Sequence, residues 1–263
     1  MLYASALELD KAEPMANPDL EGQVALITGG ARGIGRAAGV LLAARGARVH
    51  LADLLDCGDA CDEISKAGGI AAGHHLDVRD RDACAELARE IAAGGEPVGI
   101  LVCNAGVCPP GKPVWEDATD LEQWQRVIDI NVNGTQNTVA AVWDGMRGQG
   151  RGRIVIISSM AFYQGGVIVG TEYSASKAAL IGMTRHLARN GGPHGIVVNA
   201  VAPGVIETDM TRDFDKPELE NIPLRRLGTS EDVAGPISFL CGPESAYMTG
   251  TVLNVTGGIV LAD

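Results

Sequence analysis

The run Gln23-Val-Ala-Leu-Ile-Thr-Gly-Gly-Ala-Arg-Gly-Ile-Gly35 joins three pieces of different character. Gln23 to Thr28 is a short apolar stretch of strand type, and Gly29-Gly30 halts it. Arg36 to Arg45 has helical composition and closes at Gly46. Strand, glycine-rich turn and helix in that order are the context in which a glycine motif acquires meaning. Glycines let a backbone approach a pyrophosphate, and the free amides of a helix N-terminus supply donors and partial positive charge. The spacing is Gly-x3-Gly-x-Gly (Gly29, Gly33, Gly35) rather than GxGxxG, and taken alone it also suits an ordinary tight turn.

The next element separates the two readings. Ala47 to Ala52 reads as a second strand, with Asp53 at its carboxyl end, twenty residues past Gly33. A carboxylate there accepts both ribose hydroxyls of an adenosine and repels a 2′-phosphate, so it predicts NAD over NADP. Arg32, in the glycine loop, acts in the opposite sense by neutralising a phosphate. Asp53 weighs more, because it would be desolvated directly against that phosphate.

The alternation continues along the chain. Gly69–Leu76 reads as a strand followed by Asp77-Val78, and Asp80–Ala93 as a helix. Val98–Cys103 is a buried strand ending in Asn104-Ala105-Gly106, and Leu121–Met146 a long helix containing Asn131. Arg153–Ile157 is a strand ending in Ser158-Ser159, Tyr173–Asn190 a helix, and Gly195–Ala202 a strand ending in Pro203-Gly204. A helix over Glu231–Leu240 and a strand over Thr251–Val255 complete the series. Seven apolar strands alternating with helices predict an α/β fold, a doubly wound Rossmann-type parallel sheet with helices on both faces. Ligands in such sheets sit beyond the carboxyl ends of the strands, where the polar and glycine-rich pieces fall.

No linker or repeat interrupts the chain, so residues 21–263 are expected to form a single dinucleotide-binding catalytic domain. Residues 1–20 are rich in charge and proline (Glu8, Asp10, Lys11, Glu13, Pro14, Pro18) and read as a flexible N-terminal extension. Met15 begins the more compact stretch, which makes residues 1–14 dispensable in this reading. They lack the basic and apolar regions of a signal peptide.

Composition narrows the partners. A formal net charge of −12 argues against nucleic acid and anionic membrane surfaces, and 46% hydrophobic residues support a full core. No run approaches the ~20 apolar residues of a membrane span. The six cysteines form no CxxC pair, and His74-His75 have no third donor nearby, so no metal site is expected. Reduced thiols in apolar contexts suit a cytoplasmic protein.

In Tyr173-Ser174-Ala175-Ser176-Lys177 the phenol and the ammonium stand at i and i+4, neighbours on one helix face. A phenol titrates at ~10, and an adjacent ammonium favours its ionised form, which would suit proton transfer near neutrality. Such a pair is also common on a solvated helix edge.

With these residues in order, the chain resembles the short-chain dehydrogenase/reductase family in its compact form, and is similar to 3-oxoacyl reductases and hydroxysteroid dehydrogenases. The resemblance covers about residues 20–260 and rests on Thr28-Gly-Gly-Ala-Arg-Gly-Ile-Gly35, Asn104-Ala-Gly106, Tyr173-x3-Lys177 and Asn199-Ala-Val-Ala-Pro-Gly204. It implies that Tyr173 is the general acid in ketone reduction and the base in alcohol oxidation. Lys177 would lower the phenol's pKa and hold the nicotinamide ribose. Ser159 would bond the substrate oxygen, with Ser158 on the cofactor side. Asn131 would anchor a water joining Lys177 to solvent, and as a polar residue in mid-helix it would also distort the ladder.

For the cofactor, the resemblance places Gly29, Arg32, Gly33, Ile34 and Gly35 under the pyrophosphate and Asp53 on the adenosine ribose. Asp77 and Val78 would border the adenine, and Asn104, Ala105 and Gly106 the ribose beyond. Pro203, Gly204 and Ile206 would back the nicotinamide, with Thr208 on its carboxamide. Met160, Phe162, Tyr163 and Gln164 and the lid residues Met210, Asp213, Phe214 and Asp215 are expected around the substrate, with Trp115 and Pro109-Pro110 opposite. The wall residues named are mostly apolar, and a short lid (Thr208–Pro223) suits a bulky secondary alcohol or ketone.

The expected activity is therefore NAD(H)-dependent interconversion of a secondary alcohol and a ketone. The alternatives are an NADPH-dependent 3-oxoacyl-thioester reductase and a non-catalytic dinucleotide-binding sensor or scaffold. The family further implies a homotetramer.

Overall fold

β1 (Val24–Thr28) is buried along its whole length, as a central strand covered on both faces must be. Its side chains alternate between two cores, with Ala25 and Ile27 on one side of the sheet and Val24 and Leu26 on the other. In the computed structural model, which describes residues 19–95, 97–109, 120–165, 169–212, 214 and 217–261, β1 belongs to a seven-stranded sheet of order β3-β2-β1-β4-β5-β6-β7. The other strands are β2 (Arg48–Asp53), β3 (Ile70–His75), β4 (Ile100–Cys103), β5 (Gly152–Ile157), β6 (Ile196–Pro203) and β7 (Val252–Val255). Every pairing is parallel. The doubly wound Rossmann-type sheet read from the sequence is the one found.

Helices cover both faces. α1 (Gly33–Ala44) and α2 (Gly58–Lys66) pack on the Ile27 side through Ala38, Leu42, Ala60 and Ile64. α3 (Arg81–Ala93) packs on the Leu26 side through Leu87 and Ile91. Each fully buried Leu or Ile contributes roughly 1.5–3 kcal/mol. The Asp80 carboxylate caps α3, accepting from the amides of Asp82 and Ala83 at 3.0 and 2.9 Å. α2 was not expected from the sequence, because its acidic surface leaves few apolar positions to mark a period.

The helix expected over Leu121–Met146 is instead two helices, α4 (Leu121–Ile128) and α5 (Gly134–Gln149), joined by a π-helical turn over Asp129–Asn133. Asn131 lies in that turn and is only 1% exposed, in keeping with the expected ladder distortion. A short helix α6 (Ala161–Gln164) follows β5. α7 (Thr171–Gly191) starts two residues before Tyr173. α8 (Ser230–Cys241) packs on the α1 side through Val233 and Ile237.

The order of strands reverses direction between β1 and β4, and the crevice beyond their carboxyl ends is where this architecture binds ligands. Residues 1–18, Pro110, Trp115, Asp213 and Asp215 lie outside the described residues; the last two residues of the expected extension are packed instead, Leu20 in the core and Asp19 against Arg45.

Candidate active site

The turn after β1 takes its shape from glycine. Gly29 and Gly33 have φ of +67° and +55°, and a Cβ on Gly29 would stand 2.8 Å from the Asn104 amide nitrogen. The Asn104 side chain donates to the carbonyls of Thr28 and Gly29 at 3.1 and 2.9 Å, and so ties β4 to this turn. A Cβ on Gly35 would meet the Gly29 carbonyl oxygen at 2.1 Å. Gly35 and the Asn104 side chain therefore shape the turn, and Asn104 also lines the cleft above it, while Gly35 is not among the lining residues.

A cleft of about 330 Å³ opens above the turn, lined among others by Gly29, Gly33, Ile34, Asp77, Val78 and Gly106. Asp53, Ala105 and Thr208 also reach it, as expected, and so do Leu54, Leu55 and Ile130, which sequence reasoning missed. Leu54 and Leu55 follow Asp53 directly and are about half exposed, so their place at a strand's carboxyl end was the available signal. The Asp53 carboxylate accepts from the amides of Ala31 at 3.1 Å and Leu55 at 3.0 Å. Asp77 is bound in an Asx turn to the Arg79 amide at 3.0 Å and paired with its guanidinium, which holds its carboxyl below the usual range. The Arg32 guanidinium reaches Asp209 at 2.9 Å.

Beside this cleft, β5 and α7 meet. Lys177 is buried, and its Nζ donates to the carbonyl of Ile157 at 2.8 Å. Burial brings its pKa down to about 8. Its ammonium is 5.6 Å from the centre of the Tyr173 ring. Burial pushes the Tyr173 phenol up, a charge on Cys108 would push it further, and a hydrogen bond with the Ser159 side chain acts in the other direction. The direction is opposite to the lowering expected from Lys177, because burial dominates. Asn131 accepts from the Val107 amide at 2.9 Å and donates to the Val107 carbonyl and the Ser176 hydroxyl, both at 3.0 Å. Its side chain ties the β4 loop to α7.

The adjacent serines divide as follows. Ser159 contacts Tyr173 and lines the substrate-side cavity. The Ser158 hydroxyl is buried and donates to the Lys177 carbonyl at 2.9 Å, so it does not face the cofactor side.

That second cavity, about 620 Å³, is lined by Ser159, Tyr173, Met160, Met210, Phe214 and Cys108 among others, with no charged side chain among the described lining residues. Cys108 was overlooked in the sequence; burial raises its thiol to about 12, so it stands neutral beside Tyr173. Phe162 and Tyr163, expected here, lie elsewhere. α6 turns them away from the cavity, and Tyr163 accepts a hydrogen bond from the Asn254 amide at 3.3 Å. Pro203 and Ile206 are likewise absent from both cavity walls. Pro203 ends β6 with its carbonyl accepting from the Met160 amide at 2.8 Å, and Ile206 is packed into the core. Gly204 lines the second cavity.

A family model described as enoyl-(acyl carrier protein) reductase matches residues 29–260. A short-chain type dehydrogenase/reductase from Sinorhizobium fredii is 38% identical over 92% of this chain and 99% of its own length. This chain is a short-chain dehydrogenase/reductase. It is also 40% identical to a 3-oxoacyl-[acyl-carrier-protein] reductase from Synechocystis, over 92% of this chain and 98% of that one. The crystal structure of a 3-oxoacyl-[acyl-carrier protein] reductase with bound NAD from Brucella melitensis superposes with a TM-score of 0.87 at 37% identity, covering 97% and 99% of the two chains.

The cleft of this short-chain dehydrogenase/reductase fits a dinucleotide. Two left-handed glycines keep side chains out of the turn where a pyrophosphate would rest, and a Cβ on Gly106 would stand 3.6 Å from Lys177 Nζ. Among the described residues no cluster of three metal-ligating side chains is found, and no helix is long and apolar enough to cross a membrane. All six cysteines are unbridged, and the His74 ring pairs with His50 at 2.9 Å.

Proposed function

We propose that this oxidoreductase interconverts a secondary alcohol and a ketone with NAD(H). The observation that carries the reading is the meeting of Ser159 and Tyr173 on the wall of an uncharged cavity, beside a cleft edged by Asp53. A bound nicotinamide supplies or accepts the hydride. Tyr173 gives its phenolic proton to the carbonyl oxygen in reduction, and a raised pKa keeps that proton in place through neutral pH. Ser159 donates to the same oxygen and fixes its distance from the phenol. Lys177, anchored on Ile157, holds positive charge next to the phenol and the cofactor ribose. Asp53 takes the adenosine ribose hydroxyls and disfavours a 2′-phosphate. By family habit the working unit is a homotetramer in the cytoplasm, with residues 21–263 acting as one domain and residues 1–14 dispensable.

The names of the similar proteins favour a second reading, a 3-oxoacyl-thioester reductase. Its chemistry at the carbonyl is the same, and only the remainder of the substrate differs. The cavity's apolar wall and lack of charge support a neutral ketone. Initial rates should be compared for neutral secondary alcohols and ketones with NAD(H) and for acetoacetyl thioesters with NADPH. The first reading expects at least about tenfold higher kcat/KM for the best neutral pair. A preference for the thioester with NADPH would replace it with the second.

A further inference from the structure

Arg32 stands in the glycine loop between two carboxylates that line the same cleft, Asp53 and Asp209. Among the described residues it pairs with one of them, through Nη1 to Asp209 Oδ2 at 2.9 Å. The Asp53 oxygens are engaged by the backbone amides of Ala31 and Leu55. Asp209 opens a single 3₁₀ turn, Asp209–Thr211, in the segment after β6 that crosses above the glycine loop. That turn is pinned: the Thr208 amide donates to the Thr211 hydroxyl at 3.2 Å, which itself donates to the Ile206 carbonyl at 2.5 Å. The Thr208 methyl would lie 3.5 Å from a Cβ on Gly33, so the segment touches the loop it covers. Asp209 also pairs with Arg212, which helps to hold its carboxylate in place.

We propose that Asp209 is a cofactor-selectivity residue: it holds the Arg32 guanidinium against the lid and so withholds it from a 2′-phosphate on the adenosine ribose. The proposal rests on the reading of this cleft as the dinucleotide site with Asp53 at that ribose. A phosphomonoester arriving there meets the Asp53 carboxylate and must break the Arg32–Asp209 pair to gain a counter-ion. A ribose with two free hydroxyls requires neither. The pair is exposed at both ends (59% and 34%), so its effect is graded rather than absolute.

The test is a fluorescence titration of wild type, Asp209→Asn, Arg32→Gln and the double variant with NADH and NADPH, reading dissociation constants rather than turnover. Asp209→Asn should tighten NADPH by about fivefold, the upper end for an exposed pair, and change NADH by less than about twofold. Adding Arg32→Gln should erase the gain. An NADPH-to-NADH ratio unmoved by Asp209→Asn, or a gain that survives Arg32→Gln, overturns the proposal. The wild-type ratio reports separately on Asp53. If wild type binds NADPH as tightly as NADH, the NAD preference fails, while the change on Asp209→Asn still decides the role of Asp209.

Discussion

Lys177 is fastened to the end of β5 by two hydrogen bonds, its Nζ to the Ile157 carbonyl at 2.8 Å and its own carbonyl from the Ser158 hydroxyl at 2.9 Å. The bonds fix α7 against the strand that delivers Ser159, and Tyr173, one turn earlier, is thereby brought to the Ser159 hydroxyl. The geometry of the site follows from this junction more than from the i, i+4 spacing itself.

Lys177 carries a cost. Its pKa is lowered from 10.5 to about 8 by burial, so the unfolded chain binds more protons between those values. The penalty is full below pH 8 and is relieved as pH rises from 8 towards 10.5. Lys177→Met should therefore gain about 1 kcal/mol at pH 7, the shift being largely offset by loss of the bond to Ile157. It should flatten the alkaline stability profile and abolish turnover. Thermal melts across pH, paired with initial rates, check this, and a large loss of stability at pH 7 would contradict it.

The two serines should separate cleanly. Ser159→Ala removes a donor to the reacting oxygen and should lower kcat by roughly 10²–10³ with little change in melting temperature. Ser158→Ala removes the buried bond that joins the end of β5 to α7 and should cost about 0.5–1.5 kcal/mol of stability. Chemical denaturation and steady-state rates on both variants suffice. A larger kcat loss in Ser158→Ala would reverse the assignment.

On the outer strands, the rings of His50 and His74 are hydrogen-bonded at 2.9 Å and stacked. Burial and the neighbouring His74 bring His50 down from 6.5 to about 4, with Arg48 acting in the same sense. His74 is lowered by burial too, and Glu90 opposes that shift. For a base with a depressed folded pKa, stability is lost as pH falls from about 6.5 to about 4. Both rings are partly exposed, and after allowance for screening the loss is about 1 kcal/mol. His50→Phe should remove most of that pH dependence; an identical acid profile in the variant would place its origin elsewhere.

Much of this was readable in the sequence, for reasons that can be named. Buried strands such as Val24–Thr28 and Ile154–Ile157 are unbroken apolar runs, and glycine or polar residues at their carboxyl ends mark the ligand side. Gly29, Gly33, Asp53 and Tyr173 were legible because backbone freedom, charge position and helical spacing are properties of sequence. Side-chain direction was not. Met160 faces the cavity while Phe162 and Tyr163 do not, because a single helical turn intervenes between β5 and Gly165. Ser158 and Ser159 differ only in which way a strand end points. α2 escaped notice because a short acidic helix at the margin of a sheet needs few apolar residues.

The mechanism stands or falls on Tyr173→Phe, measured in two ways on one preparation: turnover of the best alcohol or ketone, and the dissociation constant for NADH. We expect a loss of at least about 10³-fold in turnover, since the phenolic proton given to the carbonyl oxygen is gone, with NADH binding within about twofold of wild type. Turnover close to the wild-type rate would remove Tyr173 from the chemistry and, with it, the proposed hydride-transfer mechanism.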